Sequence, residues 1–483
     1  MTQPNVLWIC TDQQRFDSLG SYGNEYVDTP NIDRLAERGV QFDRAFCQSP
    51  VCAPSRASFL TGRYPRTTGV RQNGQQIPEH ETLVTKTLAD EGYTCGLAGK
   101  LHIGPCNPRA DDRPMMEKRI DDGYAEFRWS HDPNRTWPTN EYRQWLRERG
   151  EEYDPTPHPN SEHVETGVAP ENMQTTWCAQ KAINFVEEAA DFEQPWLYSV
   201  NFFDPHHPFV APEEYLERYE AILDEIPLPE YEEGELDDKP DFHEDYHRGA
   251  YRNPDMFPFA EMDETDHRLL RAAYWAMVDL IDDQVGRLLD ALERSGQRED
   301  TLVIFMSDHG ELLGDNGAYL KGPFFYEQSV RVPLIASMPG EIREGVTSDA
   351  LVELVDLAPT LLDAAGVERE PGMQGESLWP TLTGDSDLDE HRDAVYAECY
   401  NAPGAHWDET RQYVTMIRTD RYKLTKLHGE DTGELYDLEA DPTETENLWD
   451  APEYADRKAQ LLSDLTDRMA WTMDPLPERE APF

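Results

Sequence analysis

Two pairs of polar residues follow apolar segments that have the character of buried strands. Asp12 and Gln13 follow the segment NVLWICT, and Asp308 and His309 follow the segment TLVIFMS. Ligands bind at the carboxyl ends of the strands in an open α/β sheet, so these four side chains are expected to meet. Two carboxylates, an imidazole and an amide oxygen favour Ca²⁺, Mg²⁺ or Mn²⁺ over Zn²⁺. The alternative is that each pair caps a helix, but the equivalent positions of the two pairs favour a metal site.

A cysteine with unusual surroundings is Cys52, in the segment Cys52-Ala53-Pro54-Ser55-Arg56. A helix is predicted to begin directly after it, with Pro54 in the first position. A helix N-terminus stabilises a negative side chain, which makes Cys52 a candidate reactive thiol. The alternative is an inert cysteine in a loop. Most of the seven cysteines are expected to be small core residues without disulfides, because the N-terminus has no secretory pattern.

Seven segments share their order and spacing with one enzyme family. They are CAPSR with ASFLTGRYP, PNVLWICTDQQRFDSLGSYG, GLAGKLHIG, NFFDPHHPF, SDHGELLGDNG, LKGPFFYEQSVRVPLI and ELYDLEADPTETENL. Together they resemble the formylglycine-dependent sulfatases of the alkaline phosphatase-like superfamily, over nearly the whole chain. The resemblance implies the fold of that superfamily, one divalent metal ion, and hydrolysis of a small-molecule sulfate monoester to an alcohol and inorganic sulfate.

The resemblance also implies a role for individual residues. A formylglycine-generating enzyme would oxidise Cys52 to an aldehyde, whose hydrate is the nucleophile. The implied catalytic residues are Cys52, Arg56, Lys100, His102, His206 and Lys321. The implied metal ligands are Asp12, Gln13, Cys52, Asp308 and His309. The implied substrate contacts are Asn73, Lys100, His206 and Lys321, and His207 is an alternative to His206 in the same motif.

The implied mechanism has two steps. In the first, one hydroxyl of the hydrate attacks sulfur, Asp308 accepts a proton, and Lys321 and His206 stabilise or protonate the leaving oxygen. In the second, His102 takes the proton of the remaining hydroxyl, which expels sulfate. An unmodified thiol has no second hydroxyl and would stop after the first step.

The use of lysine supports two of these assignments independently. Only nine of the 43 basic residues are lysines, and two of the nine are Lys100 and Lys321, in small glycine-flanked motifs. A compact ammonium suits a tetrahedral oxyanion in a tight pocket better than a wide guanidinium does. The alternative is that both are stray surface lysines.

Two positions depart from the common sulfatase pattern. Gln13 stands where many members have a second Asp, and His309 stands where many have Asn. Both variants resemble a bacterial branch with choline sulfatases and phosphonate monoester hydrolases, so a phosphodiester or phosphonate ester is an alternative substrate. Lys100 and His102 favour the sulfatase, because the phosphonate hydrolases carry uncharged residues there.

Ca²⁺ is the favoured metal, and His309 leaves Mg²⁺ or Mn²⁺ open. A third alternative is a catalytically silent metal-binding protein.

The segments that carry these residues alternate between strand and helix patterns up to about residue 385. Residues 1–385 therefore predict an α/β catalytic domain, with a large, mostly parallel mixed sheet and helices on both faces. Residues 107–170 and 221–262 lack a clear period and are predicted to be surface insertions. Residues 386–483 predict a small antiparallel sheet followed by one helix.

The composition restricts the possible partners. The chain has 43 basic and 96 acidic residues and a net charge of −53, which excludes a nucleic-acid-binding surface. No window approaches the ~20 apolar residues of a membrane span, and no signal peptide is recognisable, so a cytoplasmic protein is expected. Distributed acidity with few lysines favours a high-salt cytoplasm, because the Debye length is ~3 Å at molar salt. The natural substrate and the oligomeric state stay open.

Overall fold

The centre of the molecule is an eight-stranded mixed sheet. The computed structural model of the chain describes residues 3–106, 115–401 and 412–476. In spatial order the strands are β13 (Val346–Ser348), β2 (Val40–Phe42), β12 (Leu334–Ser337), β10 (Thr301–Ser307), β1 (Asn5–Thr11), β8 (Trp196–Asn201), β4 (Thr94–Gly99) and β5 (Tyr124–Trp129). The five strands from β10 to β5 are parallel, and β12 runs antiparallel to β10 and β2. The predicted α/β class with a mostly parallel sheet is confirmed.

Helices cover both faces of this sheet. The helices are α1 (Pro30–Glu37), α2 (Cys52–Thr61), α3 (Pro65–Thr68), α4 (Val84–Asp90), α5 (Glu141–Arg149), α6 (Gln174–Ala189), α7 (Glu213–Glu220), α8 (Phe242–His247), α9 (Glu264–Arg294), α10 (Glu327–Val330), α11 (Leu357–Ala365), α12 (Trp379–Thr383) and α13 (Ala455–Trp471). Helices α1, α6 and α9 pack on one face, and α2, α4 and α11 pack on the other. No helix of the described segments has the length and apolar character that crossing a bilayer requires.

The central strand β1 is buried on both faces. Val6, Trp8 and Cys10 belong to the core on one side, whereas Leu7 and Ile9 belong to the core on the other. The side chains on both faces are buried, which explains why this strand is a continuous apolar run rather than an alternating one. The same burial fixes its register, because a slip of one residue would exchange the two sets of side chains.

Within the described residues, ten further strands form three smaller sheets. The predicted antiparallel sheet near the C-terminus consists of β15 (Ala394–Tyr400), β16 (Tyr413–Thr419), β17 (Tyr422–Leu427) and β18 (Gly433–Asp437), with α13 packed on it. Three-stranded sheets are formed by β3 (Ala45–Phe46), β11 (Arg331–Val332) and β14 (Val352–Glu353), and by β6 (Thr156–His158), β7 (Ser161–Thr166) and β9 (Phe209–Val210). The domain boundary at residue 385 stays a prediction, and parts of residues 386–483 lie outside the described residues.

The predicted surface insertion at residues 107–170 is wrong for its middle part. Strand β5 pairs with β4 at the edge of the central sheet, and Trp129 at its end is fully buried. Four of the six residues of β5 are at least partly exposed, so the strand lacks the apolar run that marks β1 and β10. Residues 107–114 lie outside the described residues. The second predicted insertion, residues 221–262, contains α8 and several short 3₁₀ turns.

Candidate active site

The register of two parallel strands brings the first acidic residues together. Thr11 at the end of β1 lies opposite Ser307 at the end of β10. Asp12 and Asp308 follow directly, so both emerge at the same edge of the sheet. The Asp308 N–H donates to the Thr11 carbonyl at 3.2 Å, and the Gln13 N–H donates to Asp308 Oδ1 at 3.0 Å.

Four side chains at this edge form a cluster with the geometry of a metal site. The ligand atoms of Asp12, Cys52, Asp308 and His309 all lie within 4.8 Å of one another, and all four residues are buried. His309 Nδ1 donates to the Gly310 carbonyl at 2.8 Å, which leaves its Nε2 facing Cys52 Sγ at 3.1 Å. A ligating imidazole is oriented in this way by a backbone carbonyl in known metal sites. The donor set fits a divalent cation.

The Gln13 side chain is held by two neighbours. Its Oε1 accepts from Lys321 Nζ at 2.7 Å, and its Nε2 donates to Glu311. Glu311 is fully buried and also accepts the N–H groups of Leu313 and Leu320. The role of Gln13 as a metal ligand therefore stays a prediction. Sequence reasoning did not single out Glu311, although it lies in the same motif as Asp308.

Cys52 is the first residue of helix α2, two residues earlier than the predicted start at Pro54. Every residue of this ten-residue helix is buried. Ser55 Oγ donates to the Asp308 carbonyl at 2.5 Å and ties the first turn to the end of β10. The predicted substrate residue Asn73 lies beside this turn, where its Oδ1 accepts the Ala53 N–H at 3.0 Å.

Two cations hold the carboxylates in place. Arg56 Nε donates to Asp308 Oδ2 at 2.7 Å, and Arg56 Nη2 reaches Asp12 Oδ2 at 3.4 Å. Lys100 Nζ pairs with Asp12 and lies 3.9 Å from Cys52 Sγ. These groups are at most 2% exposed, so water screens their interactions little.

A third cation contacts the sulfur atom from another direction. Lys321 Nζ lies 2.9 Å from Cys52 Sγ and 2.8 Å from His206 Nε2. His206 Nδ1 donates to the His207 carbonyl at 2.6 Å, which leaves Nε2 as the acceptor for Lys321. The ring of His207 packs on Tyr251. The structure thus places His206 rather than His207 against Lys321.

The surroundings of Cys52 lower the pKa of its thiol, whereas those of the other cysteines raise theirs. Burial and the Asp12 carboxylate raise its pKa, but Lys100, Lys321 and His309 outweigh them and bring the pKa below that of an ordinary thiol. All seven cysteines lie within the described residues, and burial is the main cause that raises the thiol pKa of the other six, Cys10, Cys47, Cys95, Cys106, Cys178 and Cys399. Position 52 is thus the place where this chain favours negative charge on a cysteine.

His102 follows Lys100 by two residues in the sequence and is held by its backbone. It has a positive φ of 58°, and its N–H donates to both carboxyl oxygens of Glu117, at 2.8 and 3.1 Å. Its ring packs edge-on against His131, with 4.6 Å between centroids. Burial and then Lys100 lower the pKa of His102 well below its usual range, and burial raises the pKa of Glu117 to about 8. Sequence reasoning missed Glu117 and His131, because both lie in the segment without a clear period.

Known proteins similar to this chain cover nearly its whole length. The family model described as Sulfatase matches residues 4–367, and the model described as N-sulphoglucosamine sulphohydrolase, C-terminal, matches residues 314–470. An arylsulfatase of Clostridium perfringens is 30% identical over 474 residues, which cover 94% of this chain and 92% of the relative. A choline-sulfatase of Rhizobium meliloti is 31% identical over 487 residues, which cover 98% of this chain and 88% of the relative. The structure of the phosphonate monoester hydrolase SpPMH from Silicibacter pomeroyi matches with a TM-score of 0.84 at 26% identity, covering 98% of this chain and 96% of that one.

Proposed function

Because this chain belongs to the sulfatase family, with the alkaline phosphatase-like fold, we propose that it hydrolyses a sulfate monoester at a formylglycine derived from Cys52. Membership makes the chain a sulfuric ester hydrolase. The role of each residue is the further proposal, and the observation that carries it is the distribution of charge around Cys52.

Three cations and two carboxylates meet at this buried point. Arg56 and Lys100 pair with Asp12 and Asp308, Lys321 contacts Cys52 and Gln13, and each of these cations and carboxylates is at most 2% exposed. Around Cys52 the three cations thus outnumber these two carboxylates before any metal binds, although the whole chain has a net charge of −53, and the third buried carboxyl group, that of Glu311, bonds to the Gln13 amide. Charges in a water-poor site interact more strongly than charges at the surface. A sulfate ester, which is an anion, is the kind of ligand that such a pocket selects.

The metal site is the second part of the proposal. Asp12, Asp308 and His309 would hold a divalent cation next to residue 52. The bound ion would supply Lewis acidity to a sulfate oxygen. We propose Ca²⁺ for this oxygen-rich set, and Mg²⁺ or Mn²⁺ are the alternatives that His309 admits.

Thermal melts test the metal site without any turnover. A cation that binds the native state alone raises its stability. EDTA should lower the melting temperature of the wild type, and Ca²⁺ should restore it more fully than Mg²⁺ or Mn²⁺. The variant Asp308→Asn should lose most of this response. A melting temperature that ignores EDTA and all three ions would contradict the site.

Formylglycine at position 52 would supply two hydroxyl oxygens, one for the attack on sulfur and one for the release of sulfate. Cys52 is only 1% exposed in the folded chain. We therefore propose that the maturation enzyme, the partner that this chemistry requires, acts on the chain before it folds. The lowered thiol pKa fits a pocket that stabilises an oxyanion at the same position.

Three side chains are placed to move protons or stabilise charge on the leaving oxygen. His206 Nδ1–H donates to the His207 carbonyl, so His206 Nε2 accepts from Lys321 and orients it. Burial and then Lys321 lower the pKa of His206, which is therefore uncharged at neutral pH. Lys321 is then the donor for the leaving oxygen, with His206 as its partner. His102 is also uncharged, and its Nδ1 has no partner among the described residues, so it is available as a base.

A phosphonate monoester or phosphodiester is the second candidate substrate, and the structural similarity to SpPMH favours it. Steady-state kinetics of the aldehyde-bearing protein with p-nitrophenyl sulfate, p-nitrophenyl phenylphosphonate and bis(p-nitrophenyl) phosphate separate the two. We expect the largest kcat/KM with the sulfate. A larger value with the phosphonate or the diester would reverse the assignment. No turnover of any of the three by aldehyde-bearing protein would favour the catalytically silent alternative.

The acidity of the chain suggests where it works. We propose a high-salt cytoplasm, because 96 acidic residues face 43 basic ones and only nine of these are lysines. At molar salt the Debye length is ~3 Å, so a net charge of −53 produces little self-repulsion there.

A further inference from the structure

A cavity of about 190 Å³ lies beside His102. Its lining includes His102, Cys106, His131, Arg135 and Trp137, and no carboxylate lies among the described residues that line it. His102 is 7% exposed, and its Nδ1 has no hydrogen-bond partner among the described residues. The side chains that line the cavity, rather than this enclosed atom, therefore decide what the cavity can hold.

The cavity is adjacent to the reacting centre. Gly74, which also lines it, follows Asn73, and Asn73 Oδ1 accepts the Ala53 N–H next to Cys52. On its other side lies His102, the proposed base. The proposed role of His102 as the base for the group at residue 52 connects this cavity to the reacting atoms.

One side of the cavity is flat and aromatic. The rings of His131 and Trp137, which both line it, are inclined by only 15°, with centroids 6.4 Å apart. The fully buried Trp129 does not line the cavity but packs on Trp137, with 8° between the rings and 6.3 Å between centroids. A contact of 3.3 Å between Cys106 Sγ and His131 Nδ1 holds the His131 ring in place. The partly buried Trp137 offers its indole to a ligand, and such a surface favours a flat ring.

The charge of the cavity comes from Arg135. Burial lowers the pKa of both His102 and His131 well below their usual range, so neither imidazole is charged at neutral pH. The Arg135 guanidinium lies 5.7 Å from the centroid of the Trp137 ring, and its side chain is 56% exposed. Asp132, 3.3 Å from Arg135, neutralises part of the charge but does not line the cavity. A guanidinium with free donors binds a carboxylate through two parallel hydrogen bonds.

We propose that this cavity binds the alcohol part of the sulfate ester, and that this part is a single flat ring bearing a carboxylate. The inference rests on the proposed sulfatase function and extends it to the class of substrate. The volume of about 190 Å³ is far above the ~10–15 Å³ that one water molecule needs, and it leaves room for one six-membered ring. Aryl carboxylates and uronic acids share this chemistry.

Calorimetry with the protein as isolated tests the site without turnover. The ligands are two matched pairs, p-hydroxybenzoate with p-cresol and glucuronate with glucose. We expect the wild type to bind the carboxylate member of at least one pair about tenfold more tightly, since a hydrogen-bonded charge is worth about that factor. The pair that shows the preference identifies the aromatic or the sugar source. Arg135→Gln should remove the preference, and Trp137→Leu should weaken both members of that pair.

Kinetics of the matured enzyme supply the second readout. With p-carboxyphenyl sulfate and p-tolyl sulfate, Arg135→Gln should raise KM about tenfold for the carboxylate only and leave kcat nearly unchanged. Arg147→Gln removes an exposed arginine of α5 and is the matched control, so it should behave like the wild type.

Two results would overturn the subsite. One is a wild type that prefers neither carboxylate ligand, and the other is an Arg135→Gln variant that loses equally on charged and neutral ligands. A matured protein that hydrolyses no sulfate ester would instead refute the proposed function. The binding preference would still decide the subsite in that case, so the two failures are distinguishable.

Discussion

Replacing Lys321 by arginine keeps the positive charge but replaces a compact ammonium by a wide guanidinium. The variant therefore shows whether the site needs an ammonium at one position or only a positive charge nearby. Lys321 is 2% exposed, and its Nζ contacts Gln13 Oε1 at 2.7 Å, His206 Nε2 at 2.8 Å and Cys52 Sγ at 2.9 Å. A guanidinium carries its donors on a wider planar fork. It cannot occupy the ammonium position while all three partners stay in place.

The size of the effect follows from what one hydrogen-bond donor contributes at a reacting centre. Removing a well-placed donor from a developing oxyanion costs about 10²–10³-fold in kcat, or about 2.7–4 kcal/mol. The 2.9 Å distance to Cys52 Sγ marks Lys321 as such a donor for the atoms at position 52. We therefore expect Lys321→Arg to lose at least about a hundredfold in kcat. Overpacking should cost about 1–3 kcal/mol of stability, so the variant should still fold.

The assay is the steady-state hydrolysis of p-nitrophenyl sulfate by preparations with equal aldehyde content. Circular dichroism melts establish that the variant is folded. Lys118→Arg is the matched control, because Lys118 forms a surface pair with Glu79 and its side chain is 60% exposed. It should match the wild type. The removal of one donor would cost more than about threefold in kcat. If Lys321→Arg keeps kcat within about threefold of the wild type, Lys321 is not a donor at the reacting centre.

Three further predictions concern the nucleophile, the support of His102 and the surface charge. Cys52→Ser has one oxygen where the proposed hydrate has two, so it should trap a sulfated serine after one turnover, seen as added mass on the peptide; multiple turnovers would contradict this. Glu117→Ala should lower kcat about tenfold or more by releasing the N–H of His102, whereas Glu117→Gln can still accept this N–H and should lose less; equal losses would refute the positioning role. Burial raises the Glu117 pKa to about 8, above its unfolded value of about 4.3, so the native state holds an extra proton between these two values. The free energy of unfolding should therefore fall as the pH rises from about 5 to about 8. The fall should be less steep in Glu117→Gln, which has no carboxyl group at this position. Melting temperatures should rise steadily from dilute buffer to molar KCl, as the Debye length shrinks to ~3 Å, and a flat profile would contradict adaptation to high salt.

The sequence was sufficient to predict the parts of the site that parallel strands and helix starts position. Asp12 and Asp308 follow two long apolar runs, and adjacent parallel strands bring their carboxyl ends to one edge of the sheet. The glycine-flanked lysines were recognisable because lysine is rare in this chain. These patterns did not predict which side chains pair with each other, for example that the Gln13 amide bonds to Lys321 and Glu311.

The remaining parts depend on interactions between segments far apart in sequence. Glu117 supports His102 from a stretch without any period, and its carboxylate has no sequence signal that distinguishes it from the other acidic residues. Strand β5 was missed because it is an edge strand that is partly exposed, so its residues do not form an apolar run. The positive φ at His102 is another tertiary effect, since a residue other than glycine adopts it only when its surroundings hold it there.

The central claim is that an aldehyde at position 52 performs the reaction, and the most direct measurement relates turnover to aldehyde content. The protein is produced with graded amounts of a formylglycine-generating enzyme. The fraction of aldehyde at residue 52 is determined by peptide mass spectrometry and hydrazide labelling, and kcat for p-nitrophenyl sulfate is measured on each preparation. Turnover should rise in proportion to the aldehyde fraction and extrapolate to zero for the unmodified thiol. Equal turnover in preparations with and without the aldehyde would contradict this claim.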